Sequence, residues 1–278
     1  MSRPLRQQAE LVVSLAKRDL KARYKDSVLG FFWSFARPLF MTVIIWAVFS
    51  KILAIQFPYG YVPYWAHVLV SLLAWNYFVG ALFEATHSVV ANANLLKKVR
   101  LDAEVFPLAA IMANLVHFAL ALAVVLVVLP LAGVSISGLV VLLPVIIALE
   151  TLLIIGCAFY LSALNVFYRD VSSALEIVTM GWFYVTPIVY SAEMAWDRMQ
   201  KVFGPGRGLL AFDLYMLNPV APIVVAIRKV VLYGMGLGEM HREQVFVFLA
   251  ASAVVSAALA VSGWFVFRRL SPRFVDEL

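Results

Sequence analysis

The feature that most constrains this chain is a run of 45 residues, from Val105 to Leu149, without any Asp, Glu, Lys or Arg. A helix needs about 20 mainly apolar residues to cross the hydrocarbon core of a bilayer. The run is therefore long enough for two crossings, and Pro130, Gly133 and Gly138 mark a turn between them. Two charge-free helices joined by a turn predict a protein that folds inside a membrane.

Composition extends this prediction to the whole chain. Of the 278 residues, 64% are hydrophobic and 14% are charged, and the mean hydropathy is +0.93. Soluble domains contain roughly 45–50% apolar and about 25% charged residues. A soluble enzyme, a disordered chain and a nucleic-acid-binding module are therefore excluded. The only cysteine, Cys157, excludes a disulfide or cysteine–metal framework.

The sequence predicts an all-α integral membrane protein with six transmembrane helices, formed by a single domain over residues 1–278. An amphipathic helix at the cytoplasmic interface precedes the spans, and an external re-entrant helical hairpin separates spans five and six. The predicted segments are 1–29 for the amphipathic helix, 38–190 for spans one to five, 191–243 for the re-entrant region, 244–267 for span six and 268–278 for a cytoplasmic tail.

Individual spans are predicted from apolar stretches bounded by Pro, Gly and charged residues. Within the external region, two short apolar stretches predict the arms of the hairpin, because Arg228 and Lys229 interrupt what would otherwise be a longer span. The six spans are Pro38–Ile55, Val62–Phe83, Val105–Leu129, Leu139–Leu164, Ser172–Tyr190 and Gln244–Phe267, and the hairpin arms are Leu209–Leu217 and Pro219–Leu232.

The distribution of basic residues predicts the orientation. Of the 22 Lys and Arg residues, 15 lie in segments on the same side of the predicted spans as the N-terminus. Cytoplasmic loops carry the excess of Lys and Arg, so both termini are predicted to be cytoplasmic. The net charge of +6 then reports orientation and not nucleic-acid binding. Residues 1–25 are polar and basic, and so do not resemble a cleavable signal peptide.

Residues 5–25 have the pattern of an amphipathic helix with basic flanks. Apolar residues recur there at spacings of three and four, and lysines and arginines lie between them. Such a helix is suited to the membrane surface, and it also offers a face to a cytoplasmic partner. The apolar positions are Leu5, Ala9, Val12, Val13, Ala16, Leu20 and Tyr24.

Four motifs occur in order along the six predicted spans. They are Arg18–Gly30 followed by Trp33 and Pro38, Asn92–Arg100 followed by Val105-Phe106-Pro107, Asn165–Asp170, and Leu217-Asn218-Pro219 with Arg228. This ordered set resembles the permeases of type-2 ABC exporters, and the resemblance covers nearly the whole chain. The similarity is closest to the polysaccharide branch, whose members export O-antigen, capsule or teichoic acid.

The resemblance implies a permease that works as a homodimer bound to two copies of a separate ATPase. It also implies a bacterial inner membrane and a lipid-linked polysaccharide as substrate. ATP and Mg would be bound by the ATPase, because this sequence lacks a phosphate-binding loop; the glycine-rich residues 204–208 are predicted to form a turn. We therefore expect no catalytic residue, cofactor or metal site in this chain.

Three alternatives remain open from the sequence. The same fold exports small hydrophobic compounds or drugs in other branches of the family. A membrane-embedded glycosyl or acyl transferase would need a cluster of acidic or His residues at one interface, which the sequence does not display. An ion-coupled carrier would be expected to carry an internal repeat.

The cytoplasmic loop 84–104 is predicted to hold a coupling helix from Leu95 to Glu104, capped by Asn92 or Asn94. Apolar residues would fill a groove of the ATPase, while basic residues would meet its acidic rim. The alternative is that these charges only set the topology. The residues assigned to ATPase coupling are Leu95, Leu96, Lys97, Lys98, Val99 and Arg100, with Arg18 and Lys21 of the first helix and Arg169 and Asp170 after span four.

Aromatic residues make up 14% of the chain. Flat amphipathic side chains bind sugar rings without a fixed charge, so an aromatic-lined conduit would let a long glycan slide through. Core packing is the alternative for each ring. The residues assigned to the conduit are Trp33, Phe35, Trp75, Tyr77, Phe78, Trp182, Phe183 and Tyr184.

Two further groups are predicted from depth and position. His117 and Glu150 lie at similar distances from the turn near Gly133, so they are expected at matching depth, as a hydrogen-bonded or ionic pair that locks spans three and four. The alternative is that both face other helices or a wet cavity. Asn218, Pro219 and Arg228 are assigned to an external gate in the re-entrant hairpin, for which dimer packing is the alternative role.

Overall fold

The computed structural model describes residues 5–24, 32–54, 62–98, 101–233 and 242–278. Within these ranges the chain is helical and contains no strand. Short 3-10 or π-helical turns extend several of the helices. The helices are α1 (Leu5–Tyr24), α2 (Phe32–Trp46), α3 (Tyr64–Ala91), α4 (Ala93–Lys98), α5 (Val105–Leu131), α6 (Leu143–Phe167), α7 (Val171–Val185), α8 (Ala192–Phe203), α9 (Pro205–Met216), α10 (Val220–Arg228), α11 (Arg242–Leu270) and α12 (Phe274–Glu277).

Five of these helical segments are long and apolar enough to cross a membrane, so the chain is an all-α integral membrane protein. They correspond to predicted spans one, two, three, four and six. The predicted fifth span is shorter than expected, because α7 ends at Val185, two residues before Pro187. The residue before a proline is disfavoured in a helix, and residues 186–190 are not helical.

The charge-free run folds as predicted, into two helices and a turn. Pro130 lies in the last turn of α5, and Gly133 has a φ of +79°. That left-handed conformation is the one that glycine adopts without a steric cost. Ser137 then accepts a hydrogen bond from the backbone amide of Leu139 and so caps the 3-10 turn that leads into α6.

Helix α3 lies at the centre of the bundle, where it contacts α2, α5, α6, α7 and α10. Most of its residues are buried within the chain. Helices α6 and α11 approach each other closely on one side, at Gly156 and Gly263. A Cβ atom on Gly156 would lie 2.7 Å from the backbone nitrogen of Ala260, so only glycine fits this crossing.

The two ends of the bundle differ in construction. At one end, called here the α1 end, α1 and α12 pack on the ends of α5, α6 and α11 around a separate apolar cluster. The other end is called the hairpin end. It contains α8, α9 and α10, which follow α7 and precede α11 along the chain. Helix α9 and the segment Val220–Tyr233 form a pair bent by 89°, as in a re-entrant hairpin or a broken span.

Several predicted boundaries at these ends are corrected by the structure. Helix α8 was not predicted, and α9 begins at Pro205, so only Gly204, with a φ of +78°, forms the turn expected over residues 204–208. In α1 the buried residues are Val12, Leu15 and Ala16, whereas Val13 is exposed. The predicted end of span one at Ile55 and residues 25–29 of the N-terminal segment lie outside the described residues.

Candidate functional site

The hairpin end contains a buried polar cluster centred on Arg228, the last residue of α10. Its side chain is 0% exposed. One guanidinium nitrogen, Nη1, donates to His67 Nε2 at 2.8 Å and to Ser71 Oγ at 3.0 Å, both on α3. The same nitrogen donates to the backbone carbonyl of Pro187. We call Arg228, His67, Ser71, Tyr233 and this carbonyl the hairpin-end cluster.

The hydrogen bonds fix the tautomer of His67. An arginine can only donate, so Nε2 of His67 must accept and its proton must lie on Nδ1. Nδ1 is 2.9 Å from the hydroxyl of Tyr233 and therefore donates to it. A neutral, oriented imidazole thus connects Arg228 at the end of α10 to Tyr233 in the π-helical turn that follows.

Asn218 makes a second set of contacts between the hairpin and α7. Its Oδ1 accepts from the indole nitrogen of Trp182 at 2.8 Å, and its Nδ2 donates to Thr186 Oγ1 at 3.1 Å. Oδ1 also accepts from the backbone amide of Val220, the first residue of α10, at 3.2 Å. The half-buried Pro219 fills the next position and directs the chain into the helix.

Several side chains donate hydrogen bonds to the non-helical segment 186–190. Besides the contact from Arg228, the Tyr64 hydroxyl donates to the carbonyl of Val189 at 2.7 Å. The Tyr215 hydroxyl of α9 donates to that of Tyr190 at 3.1 Å. Irregular backbone at membrane depth requires such partners. The arrangement therefore ties the end of α7, the hairpin and the start of α3 into one unit.

Three of the residues assigned to a conduit are core residues. Phe78 is fully buried, Trp75 and Tyr77 nearly so. Tyr77 stacks on Phe118 of α5 at a centroid distance of 4.8 Å, and its hydroxyl is 2.7 Å from Thr151 Oγ1 of α6. Rings enclosed by their own chain cannot contact a substrate in this conformation. The structure thus contradicts the conduit prediction for Trp75, Tyr77 and Phe78 and gives them a packing role.

The α7 aromatics occupy three different environments. Trp182 is half-buried against Phe78 and bound to Asn218. Phe183 is half-buried against Trp75. Tyr184 is 75% exposed. In α2, Phe35 is half-buried, and the side chain of Trp33 lies outside the described residues. Among the conduit candidates whose side chains are described, Tyr184 is therefore the most accessible to a substrate.

The predicted hydrogen bond between His117 and Glu150 does not form. Glu150 is 0% exposed, and neither carboxylate oxygen has a hydrogen-bond partner in the described part of the chain. His117 is only half-buried and makes other interactions. Matching depth did not bring the two side chains together, because each residue's position around its own helix also decides what it faces.

The predicted coupling helix exists but is shorter and differently oriented. It is α4, which starts at Ala93; Asn92 ends α3 and does not cap α4 with its side chain. Leu96 is buried in the α1-end cluster, so it supports α4 from inside and cannot fill a groove of a partner. Leu95 is half-buried, Lys97 and Lys98 are exposed, and Val99 and Arg100 lie outside the described residues.

The other residues assigned to coupling lie at the same end of the bundle. Arg18 of α1 donates to Asn92 Oδ1 at 2.9 Å and pairs with Asp19 at 2.8 Å, so its exposed side chain is held within the chain. Lys21 is exposed. Arg169 and Asp170, between α6 and α7, are also exposed. Asp170 occupies the position before α7 without a side-chain capping bond.

Glu104 belongs to a cluster that the sequence did not reveal. It was predicted to end the coupling helix, but it is buried at the start of α5. Its carboxylate accepts from Arg268 Nη2 at 2.9 Å and from the Trp264 indole nitrogen at 2.9 Å. The guanidinium of Arg268 also lies 4.4 Å from the centre of the Trp264 ring. We call Glu104, Trp264 and Arg268 the rim cluster.

No group of three or more His, Cys, Asp or Glu side chains in the described ranges is arranged to hold a metal ion. The two polar clusters each join helices that are far apart along the chain.

Comparison with known proteins gives consistent matches. The profile of the family described as ABC-2 type transporter matches residues 10–203. An "O-antigen export system permease protein RfbA" from Klebsiella pneumoniae is 27% identical over 274 residues, which cover 97% of this chain and 95% of that protein. A protein of the same name from Myxococcus xanthus is 26% identical over 276 residues, which cover 99% and 98%.

Proposed function

The chain belongs to the ABC-2 type transporter family, and we propose that it is the membrane subunit of an ATP-driven exporter of a lipid-linked polysaccharide. O-antigen is the first candidate for the glycan. The observation that carries the proposal is the match, over nearly the full chain, to proteins named as O-antigen export permeases. These matches favour an exporter over a membrane-embedded transferase.

We place the α1 end in the cytoplasm and the hairpin end outside a bacterial inner membrane, with both termini cytoplasmic. Lys97, Lys98, Arg169, Arg269 and Arg273 all lie exposed at the α1 end, and an excess of basic residues is typical of the cytoplasmic side. The bent pair formed by α9 and residues 220–233 then enters the outer half of the membrane as a re-entrant hairpin.

ATP binding and hydrolysis belong, in this proposal, to a separate ATPase present in two copies, which holds ATP and Mg. Lys97 and Lys98 on α4 are the main contact, supported by Arg169, Asp170 and Lys21, all of them exposed. Positive side chains in this position attract an acidic rim. Leu96 contributes by anchoring α4 to the chain, not by contacting the ATPase.

The second copy of this chain and membrane lipids would cover the apolar surfaces of α2 and α7. Phe40 and Val43 of α2 and Ile177 and Val178 of α7 are all more than half exposed, as in helices that face lipid or another protein. A glycan conduit between two copies would place Tyr184 against the sugar, with Phe183 and Phe35 beside it.

Asn218, Pro219 and Arg228 would act as the external gate by holding the hairpin against α3 and the end of α7. Opening the exit then requires the contacts of Arg228 with His67 and Pro187 to be released or to move together. A closed exit that is held by interior hydrogen bonds would keep the membrane sealed between transport cycles.

Deletion of the gene tests the proposed function. Cells that lack the chain should continue to make the lipid-linked glycan but should lose it from the cell surface. Surface labelling with a glycan-specific antibody and gel analysis of total extracted glycan measure the two quantities. A plasmid copy of the wild-type gene should restore the surface signal. Undiminished surface glycan in the deletion strain would contradict the proposal.

A further inference from the structure

The residues after α11, which the sequence predicts to be part of a cytoplasmic tail, form a folded element. Residues Ser271–Arg273 make a 3-10 turn, and Phe274 begins α12. Phe274 is 0% exposed, although the residues on either side of it are exposed. One aromatic side chain therefore anchors this element to the rest of the chain.

Phe274 packs between the ends of two membrane helices. Its ring centre lies 5.9 Å from that of Phe167, the last residue of α6, and 5.3 Å from that of Phe267 on α11. Both pairs have the edge-to-face geometry that aromatic rings prefer. Phe267 in turn packs on Phe159 of α6 at 5.3 Å, so the anchor continues into the bundle.

The same apolar cluster contains Leu96, the buried residue of α4. Helix α12 contacts both α4 and α6 directly. Phe167 is the last residue of α6, and Arg169 follows two residues later, in the connection between α6 and α7. Phe274 thus packs on the last residue of α6, and its short helix contacts α4. The exposed charges of α4 and of the α6–α7 connection are the ones that the proposed function assigns to the ATPase.

We propose that Phe274 is a positioning residue for coupling: it sets the spacing and orientation of α4 relative to the α6–α7 connection, so that both engage the ATPase together. The ATPase in this inference rests on the proposed function, whereas the packing of Phe274 is independent of it. Helix α4 has only six residues and follows α3 after a single residue. A short helix of this kind needs packing to hold its direction, and α4 obtains it from its contacts with α12 and from the burial of Leu96 in the same cluster as Phe274.

The test is a distance measurement between spin labels at Lys98→Cys and Arg169→Cys in purified full-length protein, in which Cys157 is replaced by Ala. Both labelled positions are exposed. Phe274→Ala should roughly double the width of the distance distribution, because α4 loses its support. Phe265→Ala is the matched control, since Phe265 lies on α11 with an exposed ring, and it should leave the distribution unchanged.

Coupling is then measured in proteoliposomes that contain the chain, its ATPase and the lipid-linked glycan. Phe274→Ala should lower the amount of glycan exported per ATP hydrolysed by about fivefold. Phe265→Ala should not change it, and Phe274→Leu should restore part of the ratio. If Phe274→Ala does not fold, Phe274→Leu carries both measurements, with a smaller broadening and a smaller loss expected.

A distance distribution that is the same in the Phe274 variant and in the control would overturn the proposal. A broadened distance distribution with an unchanged amount of glycan exported per ATP would also overturn it, because the orientation of α4 would then have no effect on export. If the wild-type chain failed to bind an ATPase, the proposed function would fail instead, and the distance measurement would still decide whether Phe274 orients α4.

Discussion

The two polar clusters each contain one arginine, yet they hold their ends of the molecule in different ways. In the hairpin-end cluster, Arg228 is 0% exposed, and α3, α10 and the segment after α7 all meet at its guanidinium. In the rim cluster, the Arg268 side chain is 44% exposed and lies over Trp264, with one carboxylate partner in Glu104. The two arginines therefore differ in burial: Arg228 joins three segments in the interior, whereas Arg268 binds its partner at a site that is open to water.

This difference predicts which end moves at low cost. A buried charge that loses its partners is strongly destabilising, whereas an ion pair with one partner in contact with water, as Arg268 is, is weakened by solvent and screened by salt. If the proposed function is correct, the α1 end should therefore rearrange more readily than the hairpin end.

The largest expected effect is that of Arg228→Met, which removes the centre of the hairpin-end cluster. His67, Ser71 and the Pro187 carbonyl would lose their shared donor in the interior. A buried acceptor left without a donor costs about 1–3 kcal/mol, so the three acceptors together predict a loss of roughly 3–5 kcal/mol in the free energy of unfolding, measured by thermal or denaturant unfolding in detergent. A loss no larger than that of an exposed arginine such as Arg169→Met would show that the cluster does not hold the fold.

The next effect is that of His67→Phe, which removes both the acceptor for Arg228 and the donor to Tyr233. A hydrogen bond to a charged group contributes about 1.5–3 kcal/mol, so the expected destabilisation is of that order. The matched control is His87→Phe, because His87 lies on the same helix but is exposed. Equal losses in the two variants would contradict the assigned role of His67.

A smaller effect is expected from Glu104→Gln in the rim cluster. The amide keeps the shape and can still accept from Trp264, but it removes the charge that pairs with Arg268. We expect about 1 kcal/mol of destabilisation at low ionic strength. The difference from the wild type should shrink as salt rises from about 0.05 M to about 1 M, because the screening length falls. A difference that does not respond to salt would contradict an electrostatic origin.

The smallest effect on stability is expected from Lys97→Glu combined with Lys98→Glu, since both side chains are exposed. Unfolding should match the wild type, while co-purification of the ATPase should fall, because the reversed charges repel an acidic rim. Lys201→Glu, at an exposed position on α8, is the control and should leave co-purification intact. Normal recovery of the ATPase with the double variant would remove α4 from the proposed contact.

The long elements of the fold could be predicted from the sequence because the charge-free run and the spacing of apolar segments determine them. Leu96, Glu104 and α8 could not be predicted correctly. Whether a residue in a short charged loop points inward depends on distant residues such as Trp264 and Arg268 of α11, which are 160 and 164 positions from Glu104 along the chain.

The environment of Trp75, Tyr77 and Phe78 also could not be predicted from the sequence. Aromatic side chains suit a sugar-binding surface as well as a packed core, and only the position of α3 at the centre of the bundle decides between the two. The assignment of Arg228 to a gate stays a prediction, and its partners on α3 were not predicted. Nothing local in the sequence indicates that residues so far apart share one interior cluster.

The most direct test of the account is ATP-dependent translocation in proteoliposomes that contain only this chain, its ATPase and the lipid-linked glycan. With ATP and Mg, the glycan should become accessible to a glycosidase on the side of the membrane that carries the hairpin end. Without ATP, or with an ATPase unable to hydrolyse it, the glycan should stay protected. Protection that persists during ATP hydrolysis by the wild-type complex would contradict the account.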